Sequence, residues 1–166
     1  IAMSACTDSS MNQLRFEGVD FAPTADFGLL RTCVEQAERA DISFHVGPIA
    51  AWDSFYSDRP ELLKRLSEYG VLAVEMATAE LYTLAAKHGV RALTICTASD
   101  SLVTGEKTSA EERERTFSAM VELALAVRAG LRNAVRMTMW PRRTRSVSAA
   151  RADKAVNDSK VISSVG

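Results

Sequence analysis

The sequence has few of the residues from which metal and nucleotide sites are usually built. Its two histidines, His45 and His88, accompany no matching Ser, Cys or carboxylate motif, so we interpret both as structural. The three cysteines lie in apolar stretches without paired or metal-like spacing, which favours reduced, buried thiols in a cytoplasmic protein. No glycine-rich loop indicates a nucleotide-phosphate site. The sequence therefore predicts no metal centre and no Gly-rich nucleotide site.

Long hydrophobic runs and net charge are also lacking. No apolar stretch approaches the length of a membrane span, and the first residues lack the layout of a signal peptide. The net charge is -1, so we expect neither a nucleic-acid nor a membrane partner. This average conceals a split, because residues 1–127 hold 11 Lys/Arg and 19 Asp/Glu whereas residues 128–166 hold 9 and 2. The asymmetry predicts a domain over 1–127 and a basic, disordered tail over 128–166, in which residues 131–140 could alternatively extend the preceding helix.

Strand-like and helix-like segments alternate along the first 127 residues. Strands are predicted at residues 1–6, 42–46, 71–74 and 90–97, and helices after Thr24, after Pro60, over 78–88 and from Ser109. Thr24 is the predicted N-cap of the first helix, and Ser109-Ala-Glu-Glu112 fits a capping box. The alternation predicts an α/β layered fold with a parallel or mixed sheet. Because the sequence starts inside a strand, we expect it to be the later part of a longer domain.

Polar residues follow two predicted strands at positions where α/β folds place ligands. Glu75 joins a strand to a helix, and Asp100 follows the most apolar strand. Each carboxylate also has a structural interpretation, Asp100 as the cap of a turn and Glu75 as a favourable charge at a helix N-terminus. Arg113 lies in the first turn of a helix, where the dipole disfavours a cation, so we expect an anion opposite it. The adjacent aromatics Phe55 and Tyr56 are either core filler or a base-stacking wall.

Several separated motifs share the order and spacing of one enzyme family. They are Ala5-Cys-Thr-Asp-Ser9, Phe55-Tyr-Ser57, Val74-Glu-Met76, Leu93-Thr-Ile-Cys-Thr97, Ser99-Asp100 and Thr108-Ser-Ala-Glu-Glu-Arg113. Over residues 1–127 the sequence resembles the C-terminal part of bacterial purine nucleoside phosphorylases of the hexameric class. The resemblance implies an α/β fold, a three-layer αβα sheet with flanking helices, truncated at the N-terminus. It also implies a cytoplasmic homo-hexamer that uses inorganic phosphate as co-substrate and no cofactor.

The resemblance assigns roles to individual residues. In this family phosphate attacks C1′ of a purine nucleoside, and protonation of N7 helps the purine to leave. Asp100 would be the proton donor, Ser99 would accompany it near the base, and Arg113 would favour the carboxylate as the proton departs. The remaining members of the implied nucleoside site are Phe55, Tyr56, Val74, Glu75, Met76 and Ala77.

The sequence departs from the family pattern at several places. Ala77 stands where the family usually has a Glu that accepts hydrogen bonds from the ribose hydroxyls, which predicts a roughly ten- to hundred-fold loss of transition-state binding. Ser101 replaces a His that often follows the catalytic Asp, with a smaller expected effect. The part of the family that carries the phosphate-binding residues is not in the sequence, and residues from about Ala129 onward have no family counterpart.

Three functions remain open on the sequence. The first is a purine nucleoside phosphorylase present as an incomplete or impaired copy. The second is a purine nucleoside hydrolase of the same superfamily, although Arg113 favours the phosphorylase. The third is an inactive fragment that acts only as an assembly partner. We expect the isolated chain to aggregate through exposed sheet edges, and a monodisperse, cooperatively melting monomer would contradict this.

Overall fold

The computed structural model describes residues 1–54, 59–102, 107–137 and 160–163. Its strands are β1 (Ala2–Thr7), β2 (Gly47–Ala51), β3 (Val74–Glu75), β4 (Ala92–Ile95) and β5 (Lys160–Ser163). Its helices are α1 (Met11–Arg15), α2 (Phe27–Arg39), α3 (Pro60–Glu68), α4 (Thr78–His88) and α5 (Ala110–Met137). None of these described helices is long and apolar enough to cross a membrane.

The five strands form one mixed sheet in the order β3-β2-β1-β4-β5. Strands β1, β2 and β3 are parallel, β4 meets β1 in the antiparallel sense at Ala2 and Thr94, and β5 is parallel to β4. Parallel strands end at the same edge of a sheet. The carboxyl ends of β1, β2 and β3 therefore lie side by side, at Thr7, Ala51 and Glu75.

Helices cover both faces of the sheet. On one face, α2 and α5 pack against Leu93 and Ile95 of β4. On the other face, α4 packs against β1, β2 and Ala92 of β4. Since neighbouring side chains of a strand point to opposite faces, β4 contributes to both apolar clusters and is buried throughout. The structure confirms the expected layered α/β fold.

Several local predictions are wrong. The cysteines are not all buried, because Cys6 is exposed and Cys96 is only partly buried. Residues 42–46 form no strand, and the strand is Gly47–Ala51. Ile42 and Phe44 alternate with exposed neighbours because they pack, half-buried, against the α2–α5 cluster as part of a connection. The cap of α2 is not Thr24 but Asp26, whose side chain accepts a hydrogen bond from the Leu29 amide at 2.8 Å.

Other helix signals are confirmed. The predicted helix over 78–88 is α4, and Gly89 ends it in the left-handed conformation, with φ 62°. At the start of α5, the Ser109 amide donates to the Glu112 carboxylate at 2.9 Å and the Glu112 amide donates to the Ser109 hydroxyl at 3.1 Å. The basic segment supplies the last turns of α5 and strand β5, and its other residues lie outside the described ones. The division into two parts at residue 127 stays a prediction.

Candidate active site

Glu75 lies at the carboxyl end of β3 and is only 6% exposed. Its carboxylate accepts hydrogen bonds from the amide of Ala77 at 2.7 Å and from the amide of Thr78 at 2.9 and 3.0 Å. These amides open α4, whose own N-cap residue, Ala77, has no side-chain acceptor. The carboxylate therefore caps the helix, where the helix dipole also favours a negative charge.

The other predicted nucleoside-binding residues of this segment differ in exposure. Val74 is partly buried in β3, whereas Met76 and Ala77 are exposed, Met76 by 52%. Ala77 presents only a methyl group at this edge, so its side chain has no hydrogen-bond acceptor for a ligand. Phe55 and Tyr56 lie outside the described residues, and their roles stay predictions.

Ser99 and Asp100 lie together after β4. The Ser99 hydroxyl donates to Oδ2 of Asp100 at 3.0 Å. Thr108 closes the loop by donating its amide and its hydroxyl to the Ser99 carbonyl, at 3.0 and 2.6 Å, and Asp100 forms a backbone bridge with Lys107. Asp100 is exposed. The loop thus holds a carboxylate at the surface with its neighbouring hydroxyl directed at it.

Arg113 is the fourth residue of α5, and its side chain is exposed. The capping box orients the first turn, and the Arg113 amide donates to the Ser109 carbonyl at 3.0 Å. Among the described residues, no hydrogen bond or ion pair joins Arg113 to Asp100. The cooperation of these two side chains stays a prediction.

A buried polar relay connects the β3–α4 junction to β4. The Thr78 amide binds Glu75, and the Thr78 hydroxyl donates to the Thr94 hydroxyl at 3.1 Å. The Tyr82 hydroxyl accepts from the Thr94 amide at 2.9 Å and donates to the Ala2 carbonyl at 2.7 Å, and burial raises the pKa of Tyr82. The relay fixes α4 against the strand that leads to the Ser–Asp pair, although the two predicted site segments share no direct contact among the described residues.

Sequence reasoning missed a cluster at the same edge as Glu75. Asp8 directly follows β1, its carboxylate forms an ion pair with Arg59, and its Oδ1 accepts from the Asp53 amide at 3.1 Å. The Arg59 guanidinium lies over the Trp52 ring, 5.6 Å from its centroid. The one signal in the sequence was the position of Asp8, since it comes shortly after the first predicted strand and lies inside the first shared motif.

The geometry of the described residues offers little for a metal or an enclosed ligand. No group of three or more His, Cys, Asp or Glu side chains in these ranges is placed to hold a metal ion. A cavity of ≈190 Å³ lies between the end of β1 and the chain around α1, lined among others by Thr7, Asn12 and Phe21. None of the predicted site residues lines it.

Comparison with known proteins gives consistent matches. A sequence model of the Phosphorylase superfamily matches residues 6–133, which include every predicted site residue. The DeoD-type purine nucleoside phosphorylase of Caldanaerobacter subterraneus is 58% identical over 127 residues, 76% of this chain and 55% of that protein. Its counterpart in Thermoanaerobacter pseudethanolicus is 56% identical over 127 residues, 76% and 54%. That of Bacillus cereus is 52% identical over 125 residues, 75% and 53%. The chain spans about half the length of the curated relatives it matches.

Proposed function

The chain belongs to the phosphorylase superfamily, and from this membership we propose that it carries the nucleoside-binding and proton-donating part of a purine nucleoside phosphorylase. In the proposed reaction an oxygen of phosphate forms a bond to C1′ of a purine ribo- or deoxyribonucleoside. The bond between C1′ and N9 breaks, its electron pair stays on the purine, and N7 receives a proton. The products are the free purine and the sugar 1-phosphate.

The arrangement of Ser99 and Asp100 is the observation that supports this proposal most directly. Asp100 is exposed on a closed loop, so a ligand can reach its carboxyl group. A protonated carboxyl group at that place can donate to N7 of the leaving base. The Ser99 hydroxyl already donates to Oδ2 of Asp100 at 3.0 Å. Such a bond stabilises the carboxylate that remains after the transfer.

The proposal also includes a co-substrate and an oligomeric state. Inorganic phosphate is the co-substrate, no cofactor takes part, and the assembly is a cytoplasmic homo-hexamer, as the resemblance implies. The resemblance places the phosphate-binding residues in the part of the family outside the matched half. In this proposal the matched half supplies the nucleoside side of the reaction.

The test is release of hypoxanthine from inosine by the full chain, with and without phosphate. Phosphate-dependent release would support the proposal and show that the phosphate-binding half is dispensable or supplied in trans, and we expect Asp100→Asn to lower this release by about a hundred-fold or more, the contribution usual for a general acid. The matched control is Asp41→Asn, because Asp41 is exposed at the end of α2 and its φ of 53° suits asparagine. Release without phosphate would indicate a hydrolase, and no release at high protein concentration would contradict activity in this chain.

A further inference from the structure

One carboxylate, that of Asp8, joins three elements of the fold. Asp8 follows the last residue of β1. Its Oδ1 accepts from the amide of Asp53, which lies two residues after β2, and its Oδ2 pairs with the guanidinium of Arg59, the N-cap residue of α3. The Asp8 side chain thus binds a residue just after β2 and the residue just before α3.

Asp8 supplies a negative charge beside Arg59. Arg59 precedes the first turn of α3, where the helix dipole disfavours a positive charge. A carboxylate beside the guanidinium offsets this repulsion. The Asp8 side chain is 18% exposed and that of Arg59 is 51% exposed, so the anion is the better covered member of the pair. Removal of the anion would take away the ion pair that ties the guanidinium to the end of β1.

The effect reaches the predicted nucleoside segment through Trp52. The Arg59 guanidinium lies 5.6 Å from the centroid of the Trp52 ring, within cation–π range. Trp52 is 4% exposed, and its amide donates to the Glu75 carbonyl at 2.8 Å. Contacts therefore run without a break from Asp8 through Arg59 and Trp52 to Glu75.

We propose that Asp8 is a positioning residue for the nucleoside site, which acts by holding Arg59 over Trp52 and the end of β2 against β1. The proposal rests on the proposed function for the identity of the ligand. Asp8 does not touch the reacting atoms. Removal of the Asp8 carboxylate loosens Arg59 and Trp52, which form the wall beside Glu75. We therefore expect weaker nucleoside binding and a nearly unchanged chemical step.

The experiment uses the full chain with Trp140→Phe, so that Trp52 is the single remaining tryptophan of the two. Asp8→Asn keeps an oxygen that accepts from the Asp53 amide but removes the charge that binds Arg59, whereas Arg59→Gln removes the cation and keeps the carboxylate. We expect both variants to change the Trp52 emission and to raise KM for inosine about tenfold, with kcat within about twofold of the parent. Asp8→Asn/Arg59→Gln should be no worse than either single variant.

Asp41→Asn is the control, and thermal unfolding shows that each variant is folded. A folded Asp8→Asn chain with unchanged Trp52 emission and unchanged KM overturns the proposal. A roughly tenfold fall in kcat with no change in KM overturns it as well. If Asp8→Asn does not fold, the same readouts on Arg59→Gln decide.

Failure of the proposed function gives a different result. If the parent chain neither binds nor turns over inosine, the phosphorylase proposal fails. The Trp52 emission then decides the role of Asp8: a change in both variants supports positioning of this wall, and no change overturns it.

Discussion

The two acidic segments that the sequence singled out have opposite environments in the fold. Glu75 is 6% exposed, and its carboxylate is bound by two amides of the following helix. Asp100 is exposed, and its carboxylate accepts from the adjacent Ser99 hydroxyl. A carboxylate whose oxygens are bound by the backbone stabilises the fold, whereas one held at the surface is available to a ligand. From the sequence alone, both carboxylates had a structural and a ligand-binding interpretation.

The largest expected effect is a difference in stability between variants of the two carboxylates. Glu75→Ala leaves the first amides of α4 without their acceptor in a buried place, so we expect it to lower the free energy of unfolding by about 3 kcal/mol. Asp100→Ala lies at an exposed site and should change it by less than about 0.5 kcal/mol. Urea unfolding followed by circular dichroism measures both. Equal losses would remove the distinction between the two segments.

Ala77→Glu sharpens the comparison by placing an accessible carboxylate next to the buried one. Ala77 is exposed, so the longer side chain meets solvent rather than the core. By resemblance, a glutamate here accepts hydrogen bonds from the ribose hydroxyls. We expect a roughly ten- to hundred-fold gain in kcat/KM for inosine, since bonds to charged groups contribute about 1.5–3 kcal/mol. Ala77→Gln, of equal size but uncharged, is the control and should gain less; equal gains would exclude the charge as the cause.

The same contrast between buried and accessible groups predicts a pH dependence. Cys33 is fully buried in the α2–α5 cluster, and burial raises its pKa from 9.0 to about 11. Because the pKa of Cys33 is higher in the folded state, the contribution of its protonated thiol to stability is fully present below pH 9 and is lost as the pH rises through 11. Between pH 9 and 10 the parent should lose about 1 kcal/mol more than Cys33→Ala, measured by urea unfolding under reducing conditions. Tyr82 titrates in both chains and cancels in the difference. Parallel pH profiles would contradict the prediction.

Local signals account for what the sequence could predict. The end of α4 at Gly89 and the capping box of Ser109 and Glu112 depend on residues within one turn of each other, and both are confirmed. Strand β2 was misplaced because its small residues show no alternation, whereas the half-buried connection before it does. The contacts of Asp8 could not be predicted from the sequence, since its partners lie 45 and 51 residues away along the chain. Chain separation, rather than residue type, limited the prediction of the site.

The smallest expected effect tests how the accessible carboxylate is supported. Ser99→Ala removes the hydroxyl that donates to Asp100, and with it one bond that stabilises the carboxylate after proton transfer. Because the pair is exposed and water can replace the hydroxyl, we expect kcat for inosine phosphorolysis to fall only about fivefold, with KM nearly unchanged. Ser99→Thr keeps a hydroxyl and should restore most of the rate. Ser118→Ala on the exposed face of α5 is the matched control. If Ser99→Ala raises KM and leaves kcat unchanged, the hydroxyl contacts the nucleoside instead of supporting the carboxylate.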